Sequence, residues 1–262
     1  MNTKISNDQP AIFITGAASG IGRATAEYFA KKNWFVGACD INEDSLASLV
    51  AEIGPDKGHY ARLDVTDRVA VAETLATFVE ASGDRLDILF NNAGIDAKGP
   101  FEEMEWDRIM AVVNVNFIAG LGLIHTAIPH LRKTKGSLCM STCSASATFG
   151  TGGMAVYSAT KHAIKGLTEA LATELAPHGV RVSDVLPGII ETGMLPDEVK
   201  AMLPKEGMWR MMPARAVAET VWAAYQGDKV HYYVPDELID CDLEATRNPE
   251  AIRDRRAAGQ PF

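Results

Sequence analysis

The sequence predicts an α/β fold in which helices cover both faces of a parallel β-sheet. Short apolar runs alternate with longer helical patterns along most of the 262 residues. The apolar runs are nearly continuous rather than alternating with polar residues, as expected of strands that are buried on both faces. Because no repeat, low-complexity segment or Pro/Gly/Ser-rich linker interrupts the pattern, we expect a single domain over residues 1–262.

Each element is assigned from its length and its hydrophobic period, in chain order. Runs of strand length, rich in Val, Ile, Phe and Tyr, occur at Ala11–Thr15, Trp34–Cys39, His59–Leu63, Leu86–Phe90, Ser137–Met140, Val180–Leu186 and Val230–Val234. Longer segments with helical periodicity are Ile21–Lys32, Glu43–Ile53, Arg68–Ala81, Glu105–Leu131, Met154–Ala176 and Ala214–Gln226. Repeated strand–helix units require right-handed crossovers, which produce a doubly wound sheet of about seven strands.

One helical segment is long and apolar enough to be compared with a transmembrane helix. Ile109–Ile128 has twenty residues without a formal charge, which is long enough to span a bilayer. Asn114, Asn116 and His125 lie inside it, and such polar groups are costly in lipid. We therefore expect a helix buried on two sides of a soluble protein.

Composition and charge exclude several classes of protein. Hydrophobic residues make up 47% and charged residues 23%, which is ordinary for a globular chain. The net charge of −9 argues against nucleic acid or an anionic membrane as a partner. Four cysteines and six histidines show no metal-ligand spacing, so no metal site is expected. The polar N-terminus lacks the apolar core of a secretory signal, and we expect a cytoplasmic protein with reduced thiols.

A glycine-rich segment, Thr15–Gly22 with the sequence TGAASGIG, joins the first strand to the first helix. Glycines allow close approach of the backbone to a pyrophosphate, and the helix N-terminus supplies N–H groups and a favourable dipole. Asp40 ends the second strand, 24 residues after Gly16. A carboxylate there can bind both hydroxyls of an adenosine ribose and would repel a 2′-phosphate. The pattern predicts a dinucleotide site that prefers NAD to NADP.

Tyr157 and Lys161 lie four residues apart on a predicted helix and therefore share one face. A free tyrosine has a pKa of about 10 and is a poor acid or base at neutral pH. A nearby cation stabilises the phenolate and lowers that pKa. The pair is therefore a candidate for moving a proton to or from a carbonyl oxygen.

Five ordered motifs together make the chain resemble a classical short-chain dehydrogenase/reductase, which has a Rossmann-type domain. They are Thr15–Gly22, Asp64-Val65, Asn91–Gly94, the Tyr157–Lys161 pair, and Pro187-Gly188 with Thr192. The similarity runs from about residue 11 to 194. It implies an NAD-dependent enzyme that transfers hydride between nicotinamide and a secondary alcohol or ketone.

The resemblance also implies roles by position. Tyr157 would be the general acid/base, Lys161 would lower its pKa, and Ser144 would bind the substrate oxygen. The catalytic set implied is Asn116, Ser144, Tyr157 and Lys161. The cofactor would contact Gly16, Ser19, Gly20, Ile21, Gly22, Asp40, Ile41, Asp64, Val65, Asn91, Ala93, Gly94, Tyr157, Lys161, Pro187, Gly188, Ile189 and Thr192.

Two of these assignments stay open at the level of sequence. Ser141 rivals Ser144, because the serines that follow the predicted strand Ser137–Met140 are displaced by about one residue from the usual family pattern. Asn114 rivals Asn116. Asn116 fits the family's distance along the chain to Ile128-Pro129, whereas Asn114 is closer to its usual distance from Trp106. Cys143, next to Ser144, is either a substrate contact or a small packed residue.

Segments outside these motifs bear on substrate and assembly. About residues 193–213, where the family carries its substrate loop, five methionines occur with Trp209; they are Met194, Met202, Met208, Met211 and Met212. Such a segment is apolar and adaptable, so we expect a lid over a hydrophobic substrate. Phe149 and nearby glycines are a candidate wall of the same pocket.

The resemblance further implies a homodimer or homotetramer that pairs the helices Glu105–Leu131 and Met154–Ala176. The tail from Arg247 to Phe262 is expected to be a solvated helix or a subunit contact. The alternative function is a non-catalytic dinucleotide-binding sensor or interaction module, since fold alone does not establish catalysis.

Overall fold

The structure is a computed structural model, and it describes residues 9–193 and 197–259. Within these residues, seven parallel strands form one sheet; they are β1 Ala11–Thr15, β2 Phe35–Asp40, β3 Gly58–Arg62, β4 Ile88–Asn91, β5 Leu138–Thr142, β6 Arg181–Pro187 and β9 His231–Val234. Their order across the sheet is β3-β2-β1-β4-β5-β6-β9. The strand order reverses next to β1, so the predicted doubly wound parallel sheet is confirmed.

The helices cover both faces of this sheet. They are α1 Gly20–Lys31, α2 Glu43–Ile53, α3 Arg68–Ala81, α4 Trp106–Val113, α5 Ala119–Leu131, α6 Ala155–Leu175, α7 Asp197–Met202, α8 Ala214–Gln226, α9 Leu238–Arg247 and α10 Pro249–Ala257. Residues from α1, α2 and α8 share one apolar cluster with the sheet, and residues from α3, α5 and α6 share the other. The nearly continuous apolar runs are therefore explained by burial on both faces.

The contact between β2 and α3 depends on a glycine. A Cβ atom added to Gly37 would lie 2.6 Å from Phe78 and 2.8 Å from Phe13. Both phenylalanine rings are fully buried, and their centroids are 5.2 Å apart in an edge-to-face arrangement. Only hydrogen at this position lets the two aromatic rings meet over the strand.

The predicted long helix over Glu105–Leu131 is helical throughout but not uniform. A π-helical turn, Asn114–Ile118, separates α4 from α5. By length and composition alone, Trp106–Leu131 would cross a membrane, and 33% of its apolar window is buried. Within the single chain, Val112, Asn116 and Leu123 of this stretch are buried, while Trp106 and Ile118 are exposed. Burial of the second side stays a prediction.

Several elements have no counterpart in the sequence prediction. Two-residue strands β7 Ile190–Glu191 and β8 Met212–Pro213 pair in parallel and bracket the methionine-rich segment. Helix α9 follows the last strand directly, and the tail continues as α10. The tail is not wholly solvated, because Ile252 is buried and fixes one face of α10.

Candidate active site

The glycine-rich segment forms a tight turn at the carboxyl edge of the sheet, between β1 and α1. Gly16 and Gly20 have φ of +64° and +50°, which is the left-handed region that favours glycine. A Cβ added to Gly22 would lie only 2.0 Å from the Gly16 carbonyl oxygen. Ser19 precedes α1 and makes no capping hydrogen bond with its side chain. The first N–H groups of α1, near Ile21, are therefore suited to an anionic group.

Asp40 lies beside this turn at the end of β2. One carboxylate oxygen accepts a hydrogen bond from the backbone N–H of Ala18 at 2.9 Å, and the other accepts from Asn42 at 3.0 Å. Ile41, the next residue, is 56% exposed. The sequence reasoning placed this carboxylate near a ribose, but it missed the second role of Asp40 in holding the glycine turn.

Asp64 and Val65 follow the neighbouring strand β3. The Asp64 carboxylate accepts hydrogen bonds from the hydroxyl and the N–H of Thr66, at 2.7 and 2.9 Å. The hydrogen bond from the Thr66 side chain is the main cause that lowers the pKa of Asp64. Asp64 is exposed and Val65 is half-buried, at the same edge of the sheet as Asp40.

The segment after β4 is tied to the glycine turn. The Asn92 side chain donates to the carbonyl oxygens of Thr15 and Gly16, at 3.0 and 3.2 Å, and accepts from the Thr142 hydroxyl at 2.9 Å. The Thr15 hydroxyl accepts from the N–H groups of Asn92 and Ala93. Asn92 thus links β1, β4 and β5, a role that the motif did not reveal because side-chain partners depend on strand order.

The other predicted residues near β4 line the same edge. Asn91 is buried, and its amide lies 3.4 Å from the hydroxyl of Ser141 on β5. A Cβ added to Gly94 would lie 3.3 Å from the Asn116 oxygen and 3.7 Å from the Lys161 nitrogen. Gly94 therefore lies between these two side chains.

Tyr157 and Lys161 lie one turn apart near the start of α6. The Lys161 ammonium is 5.6 Å from the centroid of the Tyr157 ring and donates to the Thr142 carbonyl oxygen at 2.7 Å. Lys161 is 4% exposed, and burial lowers its pKa.

Burial raises the pKa of Tyr157 to about 12, and a hydrogen bond with the Ser144 side chain opposes this rise. The cost of desolvating the phenolate is the largest cause of the shift. The expectation that Lys161 lowers this pKa stays a prediction.

The structure separates the two candidate serines. Ser144 follows β5, its hydroxyl accepts from the N–H of Ser146 at 3.1 Å, and it is hydrogen-bonded to Tyr157. Ser141 is inside β5 and faces Asn91 instead. Cys143 is fully buried, and its thiol donates to the Lys161 carbonyl oxygen at 3.1 Å, which fits the packed residue rather than a substrate contact.

The two candidate asparagines are separated in the same way. Asn116 is 3% exposed, while Asn114 is exposed. The Asn116 amide accepts from the Ile95 N–H at 2.8 Å and donates to the Ile95 carbonyl oxygen at 2.9 Å. It also donates to the Thr160 hydroxyl on α6 at 3.3 Å. Asn116 is therefore the asparagine that lies with Gly94 beside Lys161.

The segment that follows β6 lies at the same carboxyl edge of the sheet. Pro187 is the last residue of β6, and the Ile189 carbonyl oxygen accepts from the Met212 N–H at 2.8 Å. A Cβ added to Gly20 would lie 3.1 Å from the Thr192 side chain, so Thr192 lies against the glycine turn. A Cβ added to Gly188 would lie 3.1 Å from the Leu238 side chain, so Gly188 packs closely against α9.

The structure describes most of the methionine-rich segment of residues 193–213, but not residues 194–196. Met208 and Trp209 pack around the buried residues Ala145 and Leu238, directly beside Ser144. Met202 is 85% exposed. Met194, and the Leu195 that follows it, lie outside the described residues. Among those described, no cluster of His, Cys, Asp and Glu is suited to a metal ion.

The chain resembles several known proteins. A family model described as short chain dehydrogenase matches residues 10–202. The 3-oxoacyl-(acyl-carrier-protein) reductase FabG of Thermotoga maritima is 37% identical over 238 residues, which cover 87% of this chain and 94% of that protein. Meso-2,3-butanediol dehydrogenase of Serratia marcescens is 32% identical over 196 residues, covering 74% of this chain and 77% of the relative.

A solved structure supports the same grouping. The crystal structure of 3-ketoacyl-(acyl-carrier-protein) reductase from Brucella melitensis, complexed with NADH, has a TM-score of 0.78 to this chain. The two sequences are 27% identical, and the match covers 87% of this chain and 98% of the other.

Proposed function

The chain belongs to the short-chain dehydrogenase/reductase family, and we propose that it is an NAD(H)-dependent enzyme that interconverts a secondary alcohol and a ketone. Family membership makes it an oxidoreductase with a nicotinamide dinucleotide cofactor. The observation that carries the proposal is the convergence of Ser144, Tyr157 and Lys161 at the edge that also bears the glycine turn. A sensor that only binds a dinucleotide has no need of such a proton-transfer group.

In the proposed reaction, Tyr157 exchanges a proton with the substrate oxygen. The Ser144 hydroxyl accepts from the Ser146 N–H and is hydrogen-bonded to Tyr157. When substrate is bound, this hydroxyl donates to the substrate oxygen instead. Lys161 holds a positive charge within reach of the phenol, and Asn116 fixes the backbone beside it. The cofactor, when bound, supplies or accepts the hydride.

We propose that the cofactor lies along the edge formed by the glycine turn, Asp40, Asp64-Val65, Asn91–Gly94 and Pro187–Thr192. The first-turn N–H groups of α1 suit its pyrophosphate, and Asp40 suits an unphosphorylated ribose. Binding of NADH by the relative from Brucella melitensis is consistent with this assignment.

Fluorescence titration of the purified protein with NADH and with NADPH tests the preference. Quenching of Trp emission and energy transfer to the nicotinamide report binding. We expect NADH to bind more tightly. Tighter binding of NADPH would overturn the role given to Asp40, and binding of neither would overturn the proposed function.

We propose that the substrate is hydrophobic. The support is the position of Met208 and Trp209, which pack beside the turn that carries Ser144. Replacing both by Ala should raise the substrate KM and leave the NADH Kd unchanged. A matched control is Met202→Ala, since Met202 is 85% exposed and outside that cluster. An unchanged KM in the double variant would contradict the proposal that Met208 and Trp209 form a lid over a hydrophobic substrate.

We further propose a cytoplasmic homo-oligomer, a dimer or tetramer that pairs through α4–α5 and α6. Support for the interface comes from the exposed side chains of Trp106 and Ile118 on this apolar stretch. The four cysteines are free and buried, as suits a reducing compartment. Light scattering after gel filtration should give a mass of two or four chains, and Trp106→Glu should lower that mass, to one chain from a dimer or to two from a tetramer.

A further inference from the structure

The C-terminal helices pack onto the elements that carry the proposed catalytic residues. The Asp242 carboxylate on α9 accepts from the Lys165 ammonium on α6 at 2.8 and 2.6 Å. It also accepts from the Tyr233 hydroxyl at 2.6 Å. Lys165 is one helical turn after Lys161, so α9 is fixed directly to the catalytic helix.

Helix α10 is then held in a defined position relative to α9. Asn248 caps α10 by accepting from the Ala251 N–H at 3.3 Å, and Ile252 is buried. Arg255 donates to Glu244 on α9. These contacts leave the last turn of α10 facing the segment between β5 and α6.

Arg256 makes the contact between that last turn and the segment. Its guanidinium donates to the Thr151 hydroxyl at 3.3 Å and to the Gly150 carbonyl oxygen at 3.4 Å, and it lies 5.4 Å from the Phe149 ring centroid. Burial lowers the pKa of Arg256. A guanidinium in this position is anchored by a cation–π contact and by two donors directed at one loop.

Thr151 connects this contact to the active site. Its hydroxyl is 3.3 Å from the Ser146 hydroxyl, and its N–H donates to the Ser158 hydroxyl at 3.0 Å. Because the Thr151 oxygen accepts from Arg256, its hydrogen is free to be donated to Ser146. Ser146 in turn donates its N–H to Ser144, and Ser158 is next to Tyr157 in the chain.

We propose that Arg256 is a positioning residue, which holds the turn that carries Ser144 in place for the reaction proposed above. The inference rests on the proposed function and adds the C-terminal helix to the residues on which turnover depends. Arg256 does not touch the reacting atoms; it acts on Ser144 through Thr151 and Ser146.

Three variants test this inference. Arg256→Gln removes the charge and most donors, Arg256→Lys keeps a charged donor, and Arg253→Gln is the matched control. Arg253 is on the same helix, its side chain is 65% exposed, and it pairs with the adjacent Asp254. Hydrogen–deuterium exchange of the peptide spanning residues 144–154 needs neither substrate nor cofactor.

For Arg256→Gln we expect about tenfold faster exchange in this peptide, because a hydrogen bond from a charged group is lost. Arg253→Gln should leave the exchange unchanged. With NADH and acetophenone, kcat of Arg256→Gln should fall roughly ten- to a hundredfold while the NADH Kd stays unchanged, since misplacement of a catalytic group affects kcat. Arg256→Lys should recover most of that loss.

Unchanged exchange in Arg256→Gln overturns the inference, as does faster exchange with unchanged kcat. If the wild-type protein binds no NADH, the proposed function fails instead, and the exchange measurement still decides whether Arg256 holds this turn.

Discussion

Asp40 holds the glycine turn and has a proposed second role toward the cofactor ribose, and a single substitution can separate the two. Its two carboxylate oxygens accept from two different N–H groups, those of Ala18 and Asn42. In Asp40→Asn, one of these donors would face an amide NH2 instead of an oxygen. The Ala18 N–H belongs to a residue that is 3% exposed, whereas Asn42 is exposed. The amide oxygen should therefore face Ala18 and leave the Asn42 N–H to solvent, so the free energy of unfolding should fall by only about 0.5–1.5 kcal/mol.

The same substitution should change cofactor preference by an independent effect. A carboxylate at roughly 5 Å from a 2′-phosphate costs about 1–3 kcal/mol, depending on the effective dielectric constant. The ratio of the NADPH Kd to the NADH Kd should therefore fall by about tenfold or more in Asp40→Asn, since tenfold corresponds to about 1.4 kcal/mol. The ratio cancels any loosening of the glycine turn, because both cofactors use that turn.

Two assays measure the two effects. Urea denaturation gives the free energy of unfolding, and fluorescence titration with each cofactor gives the Kd ratio. Asp67→Asn is the matched control, because one Asp67 oxygen accepts from both Val69 and Ala70 at the start of α3 and an amide oxygen can replace it. Its charge change is identical, yet both quantities should stay constant. A Kd ratio that is the same in Asp40→Asn and wild type would refute the proposed ribose contact.

Three further predictions test separate parts of the molecule. Tyr157→Phe should lower kcat by about 10²–10⁴-fold and leave the NADH Kd unchanged; retained turnover would refute the acid/base role. Gly37→Ala should cost about 1–3 kcal/mol in urea denaturation, because its Cβ would lie 2.6 Å from a fully buried phenylalanine ring. Gly152→Ala, with nothing within 4 Å, is its control and should be neutral. Asn116→Ala should lower both stability and kcat, whereas the exposed Asn114→Ala should change neither; equal effects would contradict the assignment.

The sheet could be predicted from sequence because its signal is local. Each strand is a short apolar run, and the glycine turn and Asp40 follow directly from the ends of β1 and β2. The observed bounds of β1 equal the predicted ones, and those of the other six strands of the sheet differ by at most two residues. The elements that escaped prediction, β7, β8, α7, α9 and α10, are short or mostly polar, so their apolar residues form no readable period.

The Arg256 contact with the 144–154 segment shows why part of the site was beyond sequence analysis. Arg256 and Thr151 are 105 residues apart in the chain. The tail carries mixed charges, which by composition predict a solvated surface. The burial of Ile252 and the ion pair of Asp242 with Lys165, both tertiary contacts, help to bring its last turn to this segment.

The choice between Asn114 and Asn116 shows a second reason why the sequence could not predict the whole site. Residues two apart on an α-helix point about 200° apart, so only one of the two can face the sheet edge. The apolar period of α4 would identify that face only if the helix were regular, and the π-helical turn Asn114–Ile118 shifts the phase within that very segment. The burial of Asn116 is fixed instead by hydrogen bonds, because its amide satisfies both the N–H and the carbonyl oxygen of Ile95. A buried polar side chain is placed by its partners, and those partners come from another element, so the helical period alone could not decide between the two asparagines.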